Sequence, residues 1–220
     1  MLRPFIFVAS FNAAFVLATH AAPSVNLPFD GVAQGHDLTV PVTLHATNDL
    51  AGLQCDVLFD ASRLSCTNAP VLVSGPAGVV LDGAMIQAGQ YRLLAYSPTG
   101  AALTNDIICT ITFSALTNAP NGQAQLGSGN VIFGNTNAAT VTGTVNPGLI
   151  LVGDSFGFVP GGGRVQFRGD EGSNYVIQAS ADLTAWTPIS TNAVTEGLVW
   201  KVDTNALVLS KRFYRSEQVP

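Results

Sequence analysis

The sequence has few charged residues: they make up 10% of its 220 residues, whereas 47% are hydrophobic. Lys and Arg together number 9 and Asp and Glu number 14, which gives a formal net charge of −5 at pH 7. Because nucleic-acid binding requires a basic surface, this composition argues against a nucleic-acid partner. The low charge and high aliphatic content also argue against intrinsic disorder, since such a chain can bury enough apolar surface to fold.

Cysteine is scarce as well, with only Cys55, Cys66 and Cys109 in the chain. No C-x-x-C pair occurs and no His stands beside a Cys, so the spacing of a zinc site is absent and we expect no metal and no cofactor. The odd number favours buried free thiols, which are common small core residues. One disulfide among the three remains open, because an oxidising compartment would permit it.

The sequence also lacks a recognisable catalytic constellation. Gly153 to Gly157 fits the G-x-S-x-G nucleophile elbow, but that elbow needs a following helix and a later His. Here a Pro-Gly-Gly-Gly run follows, and the last histidine of the chain is His45. His36 and His45 have no metal-binding companion at the usual spacing. No pair of carboxylates is singled out for glycoside hydrolysis. We therefore predict no catalytic residue and no enzymatic activity.

The first 21 residues have the pattern of a secretory signal peptide. Arg3 supplies a positive charge, 5–17 is apolar, and Thr19-His20-Ala21 offers small residues at a cleavage site. The apolar run is short and is interrupted by Asn12, which disfavours a membrane span. The prediction is an exported protein without a membrane span after cleavage, either secreted or retained in the periplasm or at the cell surface.

Apolar residues alternate with polar ones in several segments. From Leu53 to Phe59 every second residue is apolar, with Gln54 and Asp56 between them, and 107–113 repeats the pattern. Side chains alternate across a strand, so each segment predicts a strand with one buried face. Spacings of eight to twelve residues, with Gly, Pro, Asn and Asp between, predict an all-β sandwich. The predicted strands are 24–27, 38–44, 53–59, 64–66, 71–74, 79–81, 91–96, 107–115, 130–134 and 149–152.

The charge distribution divides the chain into two parts. Residues 22–152 hold seven acids and two bases, a net charge of −5, whereas 160–220 hold six of each and both Trp residues. A Gly- and Pro-rich segment at 153–163 lies between them and is typical of a linker. We predict a signal peptide (1–21), a β-sandwich (22–152), a linker (153–163) and a small β module (164–220), whose strands are 164–168, 174–180, 186–189, 198–202 and 212–214.

The order and spacing of five segments carry a family resemblance: 40–44, 50–60, 91–96, 103–113 and 146–152. In this respect the first part resembles a cohesin domain, the bacterial module that receives dockerins in cellulosome-type assemblies. The resemblance implies a nine-stranded jelly-roll β-sandwich. It also implies a non-catalytic role, in which a dockerin-like protein partner is docked during extracellular polysaccharide binding or breakdown.

In that family one flat sheet face meets the dockerin, and the matching strands here are 53–59, 91–97 and 107–115. Their outward side chains mix Leu, Ile and Tyr with polar groups, as a modest protein interface does. A one-residue register slip would exchange the two faces, and the C-terminal module is an alternative cover for the Leu and Ile side chains. The expected partner-binding residues are Gln54, Asp56, Leu58, Arg92, Leu94, Tyr96, Ile108, Thr110 and Thr112.

The last sixty residues resemble a short β module found at the C-termini of exported proteins of environmental bacteria. Its large aromatics either form its core, as is usual in so small a module, or stack on sugar rings. Two alternatives to a protein-docking function therefore stay open: a carbohydrate-binding module, in which polysaccharide is the partner, and a structural cell-surface protein. The candidates for sugar stacking are Tyr175, Trp186, Trp200 and Tyr214.

Overall fold

The computed structural model describes residues 22–47, 49–103, 106–209 and 211–219. The predicted signal peptide lies outside these residues. Within them, the chain consists of β-strands and one short 3-10 helix, η1 (Thr204–Leu207). The strands are β1 Ser24–Asn26, β2 Phe29–Val32, β3 Asp37–His45, β4 Leu50–Leu58, β5 Leu64–Ser65, β6 Val71–Ser74, β7 Val80–Gln87, β8 Gln90–Tyr96, β9 Ile107–Ala115, β10 Gly122–Asn135, β11 Thr140–Val141, β12 Thr144–Asn146, β13 Gly148–Val152, β14 Ser155–Val159, β15 Gly162–Arg168, β16 Asn174–Ser180, β17 Thr187–Ala193, β18 Leu198–Asp203 and β19 Phe213–Val219.

The first thirteen strands form two sheets packed face to face. One sheet has the order β12-β1-β3-β9-β5, and β6 pairs with β9 on the edge that β5 also uses. The other has the order β2-β13-β10-β4-β8-β7, and β11 pairs with β10. The predicted all-β sandwich is confirmed. Within the described residues, the sandwich has thirteen strand segments rather than nine, because several are only two to four residues long.

The core lies between the two sheets and follows the period-two pattern of the sequence. In β9 the buried and half-buried positions alternate strictly along all nine residues. Cys55 and Cys109 point inward with 0% and 3% of their surface exposed, and the three cysteines are free, buried thiols. Phe59 and Phe113 meet edge to face across the core with ring centroids 5.4 Å apart. Such a pair adds about 1 kcal/mol beyond the burial of its area.

The C-terminal module consists of two three-stranded sheets, β14-β15-β18 and β17-β16-β19. Val165, Ile177, Val194 and Val199 are buried between them. The prediction of an irregular linker at 153–163 is wrong, because this segment forms β14, the turn after it and the start of β15. Its glycines allow close packing: a Cβ on Gly163 would lie 2.5 Å from the Phe156 ring.

The structure also contains strands that the sequence pattern did not predict. β2, β11, β12 and β14 are short, and β10 starts eight residues before the predicted strand. β10 contains Gly122, Gly127, Gly129 and Gly134. Glycine is depleted in strands and gives no apolar alternation, so pairing with β4 and β13, rather than local preference, holds this segment extended.

Candidate functional site

The C-terminal module covers one end of the seven-stranded sheet on its outer side. Leu149 and Leu151 of β13 point away from the sandwich core but are buried, with 3% and 0% exposed. A Cβ on Gly157 would lie 2.8 Å from a methyl carbon of each, so β14 packs directly over them.

Polar contacts fix this junction. Arg164 pairs with Asp30 of β2 at 2.7 Å. The buried Gln166 donates from Nε2 to the carbonyl oxygens of Leu151 (3.1 Å) and Gly153 (2.9 Å). Gln123 of β10 donates to the carbonyl oxygen of Phe156 at 2.9 Å. These bonds satisfy backbone groups that the junction takes out of water, so they favour one fixed arrangement of the two modules.

The rest of that outer side, formed by β4, β8, β7 and the part of β10 that pairs with β4 (127–135), lies beyond the strands that β14 packs against. Leu58, Tyr96 and Ile132 are 36%, 43% and 47% exposed there. β10 places glycines opposite β4: Gly127 pairs with Leu58, and Gly129 pairs with Asp56. Because glycine has no side chain, nothing projects from β10 at these two positions. We call this surface the free face; by strand pairing its outward side chains are Gln54, Asp56, Leu58, Val80, Asp82, Ala84, Gln90, Arg92, Leu94, Tyr96 and Ile132.

Asp56 lies near the middle of the free face, and four hydrogen bonds converge on its carboxylate. Arg92 donates from Nε to Oδ1 at 2.6 Å and from a terminal nitrogen to Oδ2 at 2.9 Å. Gln90 and Asn130 each donate to Oδ2 at 2.6 Å. The Asp56 side chain is 0% exposed, whereas that of Arg92 is 31% exposed. The surface available to a partner is therefore the guanidinium and the amides, not the carboxylate.

This environment favours the ionised carboxylate. The hydrogen bond from Arg92 lowers the pKa of Asp56 from 3.8 to about 2, with help from Asn130 and Gln90, although burial acts in the opposite direction. The same bond raises the pKa of Arg92. Charge-assisted bidentate pairs of this kind fix geometry as well as adding energy, so Arg92 is held in one orientation on the free face.

The structure brings together six of the nine predicted partner-binding residues and separates three. Gln54, Asp56, Leu58, Arg92, Leu94 and Tyr96 share the free face. Ile108, Thr110 and Thr112 do not, because β9 belongs to the other sheet and pairs with β3. The prediction that the three strands share one face is therefore wrong: alternation determines which side of its own sheet a residue occupies, but not which sheet a strand joins.

Sequence reasoning missed Gln90, Asn130 and Ile132. Asn130 has a φ of 45° and lies in an irregular stretch where the register with β4 shifts between Gly129 and Ile132. Asn tolerates this left-handed conformation better than most residues. The Gly129-Asn130 pair was the one available signal of a bulge, and the bulge is what turns the Asn130 amide toward Asp56.

The four aromatic candidates for sugar stacking have different environments. Tyr175 and Tyr214 pack against the core of the C-terminal module, and Tyr214 also stacks on Phe156 with ring centroids 5.6 Å apart. Trp186 is half-buried, and Trp200 is 45% exposed. An arginine guanidinium lies 4.4 Å from each Trp ring centroid, Arg215 for Trp186 and Arg164 for Trp200. Trp200 is therefore the most accessible of the four.

Three further features concern metal binding, membrane crossing and the G-x-S-x-G segment. The described ranges contain no group of three His, Cys, Asp or Glu side chains that could hold a metal ion. Across the same residues, no helix is long and apolar enough to cross a membrane. The G-x-S-x-G segment leads into strand β14 rather than into a helix, so Ser155 does not occupy a nucleophile elbow.

A two-sheet β-sandwich with one partly apolar sheet face left uncovered places the chain in the class of all-β sandwich proteins. More particularly, the chain belongs to the cohesin family, because the family model described as "Cohesin domain" matches residues 24–152. Cohesins are non-catalytic binding modules that pair with dockerins.

The chain is similar to several solved cohesin structures. The CaDoc0917–CaCohA2 complex, whose CaCohA2 is from Clostridium acetobutylicum, matches with a TM-score of 0.52 and 17% identity, over 60% of this chain and 99% of that one. The seventh ScaB type I cohesin of Pseudobacteroides cellulosolvens matches with a TM-score of 0.50 and 15% identity, over 64% and 96%. The sixth cohesin of scaffoldin B from Acetivibrio cellulolyticus, solved with a Cel5 dockerin, has a TM-score of 0.48 and 19% identity, over 60% and 98%. No curated protein matches the chain.

Proposed function

We propose that this protein is an exported cohesin module that docks a dockerin-type protein through its free face, in extracellular polysaccharide binding or breakdown. The observation that carries the proposal is the composition of that face. Three half-exposed apolar side chains, Leu58, Tyr96 and Ile132, share it with the fully buried Asp56 carboxylate and its Arg92 partner.

The arrangement suits protein docking for a physical reason. Interfaces combine an apolar centre with a polar rim, and Tyr and Arg are enriched among the residues that dominate their energy. Arg92 is already held by Asp56, so little side-chain freedom is lost when a partner contacts it. The glycines of β10 leave the backbone close to the surface beside Leu58, which lets a partner approach the sheet closely.

The proposed export and polysaccharide setting are supported by observations other than the composition of the free face. The predicted signal peptide at 1–21 favours export, and the cohesin family supplies the link to extracellular assemblies. Proteomics of the culture medium and of cell fractions tests this part: the mature protein should be recovered outside the cytoplasm, starting at or near Ala22. Recovery of the unprocessed chain from the cytoplasm would contradict it.

The docking proposal is tested by titrating the purified protein against a panel of purified dockerins encoded by the same genome, using isothermal calorimetry. Leu58→Glu and Ile132→Glu should each weaken the binding that the unaltered protein shows by roughly tenfold or more, because each places a charge in the apolar part of the interface.

Thr110→Glu is the matched control, since Thr110 lies on the other sheet and is also partly exposed. Its dockerin affinity should equal that of the unaltered protein. Equal losses for all three variants, or no binding of any dockerin in the panel, would overturn the assignment of the free face.

A further inference from the structure

Trp200 lines three neighbouring cavities: one lies within the C-terminal module, and two lie between that module and the sandwich. Their volumes are about 390, 130 and 450 Å³. The first and second also share Thr195 and Leu198, and the second and third also share Arg164. We call these three adjoining cavities the groove; its larger parts have the size of ordinary small-ligand sites.

The ring of Trp200 is held in place in this groove. Trp200 pairs with Gln166 across β15 and β18, so it lies on the side of its sheet that faces the sandwich. The Arg164 guanidinium lies 4.4 Å from the ring centroid, is itself only 7% exposed, and is fixed by Asp30.

The lining of the groove is electrically balanced and mixes apolar residues with a few uncharged polar ones. Its four charged residues, Arg164, Lys201, Asp30 and Glu196, sum to zero. Buried Arg164 also has one donor, Nε, without a hydrogen-bond partner among the described residues. The uncharged polar residues of the two larger cavities are Ser190, Asn192, Thr195, Asn26 and Thr43.

We propose that this groove binds a neutral polysaccharide chain, with one sugar ring packed on Trp200. A sugar ring has an apolar face that suits a fixed, half-exposed indole, and its hydroxyls suit amide, hydroxyl and guanidinium partners. The succession of three cavities fits a chain rather than a single sugar. The zero net charge disfavours an anionic ligand, whose charge the paired Arg164 would not compensate. The groove shares no residue with the free face, so this site is independent of dockerin binding.

Affinity electrophoresis tests the proposal in native gels that contain soluble arabinoxylan, hydroxyethyl cellulose or galactomannan. At least one of these neutral polysaccharides should retard the unaltered protein. Trp200→Ala should abolish the retardation or weaken it by roughly tenfold or more. Trp186→Ala is the matched control, because Trp186 also has an arginine over its ring but does not line the groove; it should be retarded like the unaltered protein.

Thr43→Arg provides a second variant that leaves Trp200 in place. Thr43 lines the 450 Å³ cavity, so the longer side chain should obstruct the groove and reduce retardation while thermal unfolding stays close to that of the unaltered protein. The proposal is overturned if no polysaccharide retards the unaltered protein, or if both Trp200→Ala and Thr43→Arg are retarded as it is. A shift in Trp200 fluorescence on adding a proline-rich peptide, with no response to the polysaccharides, would assign the groove to a peptide instead.

Discussion

Replacing Asp56 with Asn tests how much the centre of the free face depends on one carboxylate. The amide has nearly the same shape, but only one of its two terminal atoms accepts hydrogen bonds. If its nitrogen replaces Oδ2, it meets three donors, from Arg92, Gln90 and Asn130; if the amide is flipped, it meets Arg92 Nε. Either orientation leaves donors facing the amide without an acceptor, so we expect Asp56→Asn to be destabilising.

The size of the effect follows from the pKa. Lowering the pKa of Asp56 from 3.8 to about 2 corresponds to a preference for the ionised form on the order of 2 kcal/mol. The donors left without an acceptor add to this, and removing one partner of a fully buried ion pair costs about 3–5 kcal/mol. Because Arg92 keeps partial contact with water, we expect about 3 kcal/mol at pH 7. For a chain of this size that lowers Tm by roughly 6–12 °C.

The sign of the pH dependence distinguishes this cause from a simple packing defect. A folded-state pKa below the unfolded value stabilises the protein above about pH 4, and this contribution is lost as the pH falls through about 2. Urea unfolding of both proteins at pH 7 and pH 2 measures it. The difference in unfolding free energy should be about 3 kcal/mol at pH 7 and much smaller at pH 2.

Asp82→Asn is the control, since Asp82 is an exposed acid on β7 of the same sheet; it should change the unfolding free energy by less than about 0.5 kcal/mol. A difference for Asp56→Asn below about 1 kcal/mol at pH 7, or one equally large at pH 2, would refute the role assigned to the carboxylate.

Two further predictions concern the core and the junction. Burial raises the pKa of Cys55 and Cys66 to about 12 and that of Cys109 to about 11. Iodoacetamide at pH 8 should therefore alkylate none of the three thiols until urea unfolds the protein. Mass spectrometry measures the labelling, and fast labelling of the native protein would contradict this prediction. Gln166→Leu removes the donors to two buried carbonyl groups and should lower the unfolding free energy by about 2 kcal/mol, whereas Gln178→Leu, at a half-buried position within the C-terminal module, should have a smaller effect in the same urea titration.

The sequence allowed the buried face of each strong strand to be predicted, but not the partners of those strands. Cys55 and Cys109 point inward as predicted, because side-chain alternation is a local property of an extended chain. The placement of Thr110 failed because sheet membership depends on pairing between distant segments: Val42 with Cys109 in one sheet, and Gln54 with Leu94 in the other. No local pattern encodes that choice.

The glycines at 161–163 led to the prediction of a linker, although the segment is part of the packed structure. The run at 161–163 is typical of a flexible connector, yet Gly162 and Gly163 are buried in β15. A Cβ on Gly162 would lie 2.6 Å from the carbonyl oxygen of Asp203. These glycines therefore serve close strand packing, a use that composition alone does not distinguish from flexibility.

The position of the C-terminal module connects the two proposed surfaces. Without it, Leu149 and Leu151 would extend the apolar part of the sheet toward β2, and the uncovered surface would be larger and less selective. The module covers that end of the sheet. The exposed apolar side chains that remain, on the free face, therefore lie in the region around Asp56. The residue that anchors it to β2, Arg164, also holds the indole of Trp200. The ion pair between Arg164 and Asp30 therefore has two consequences: it anchors the module that covers Leu149 and Leu151, and it forms part of the wall of the groove.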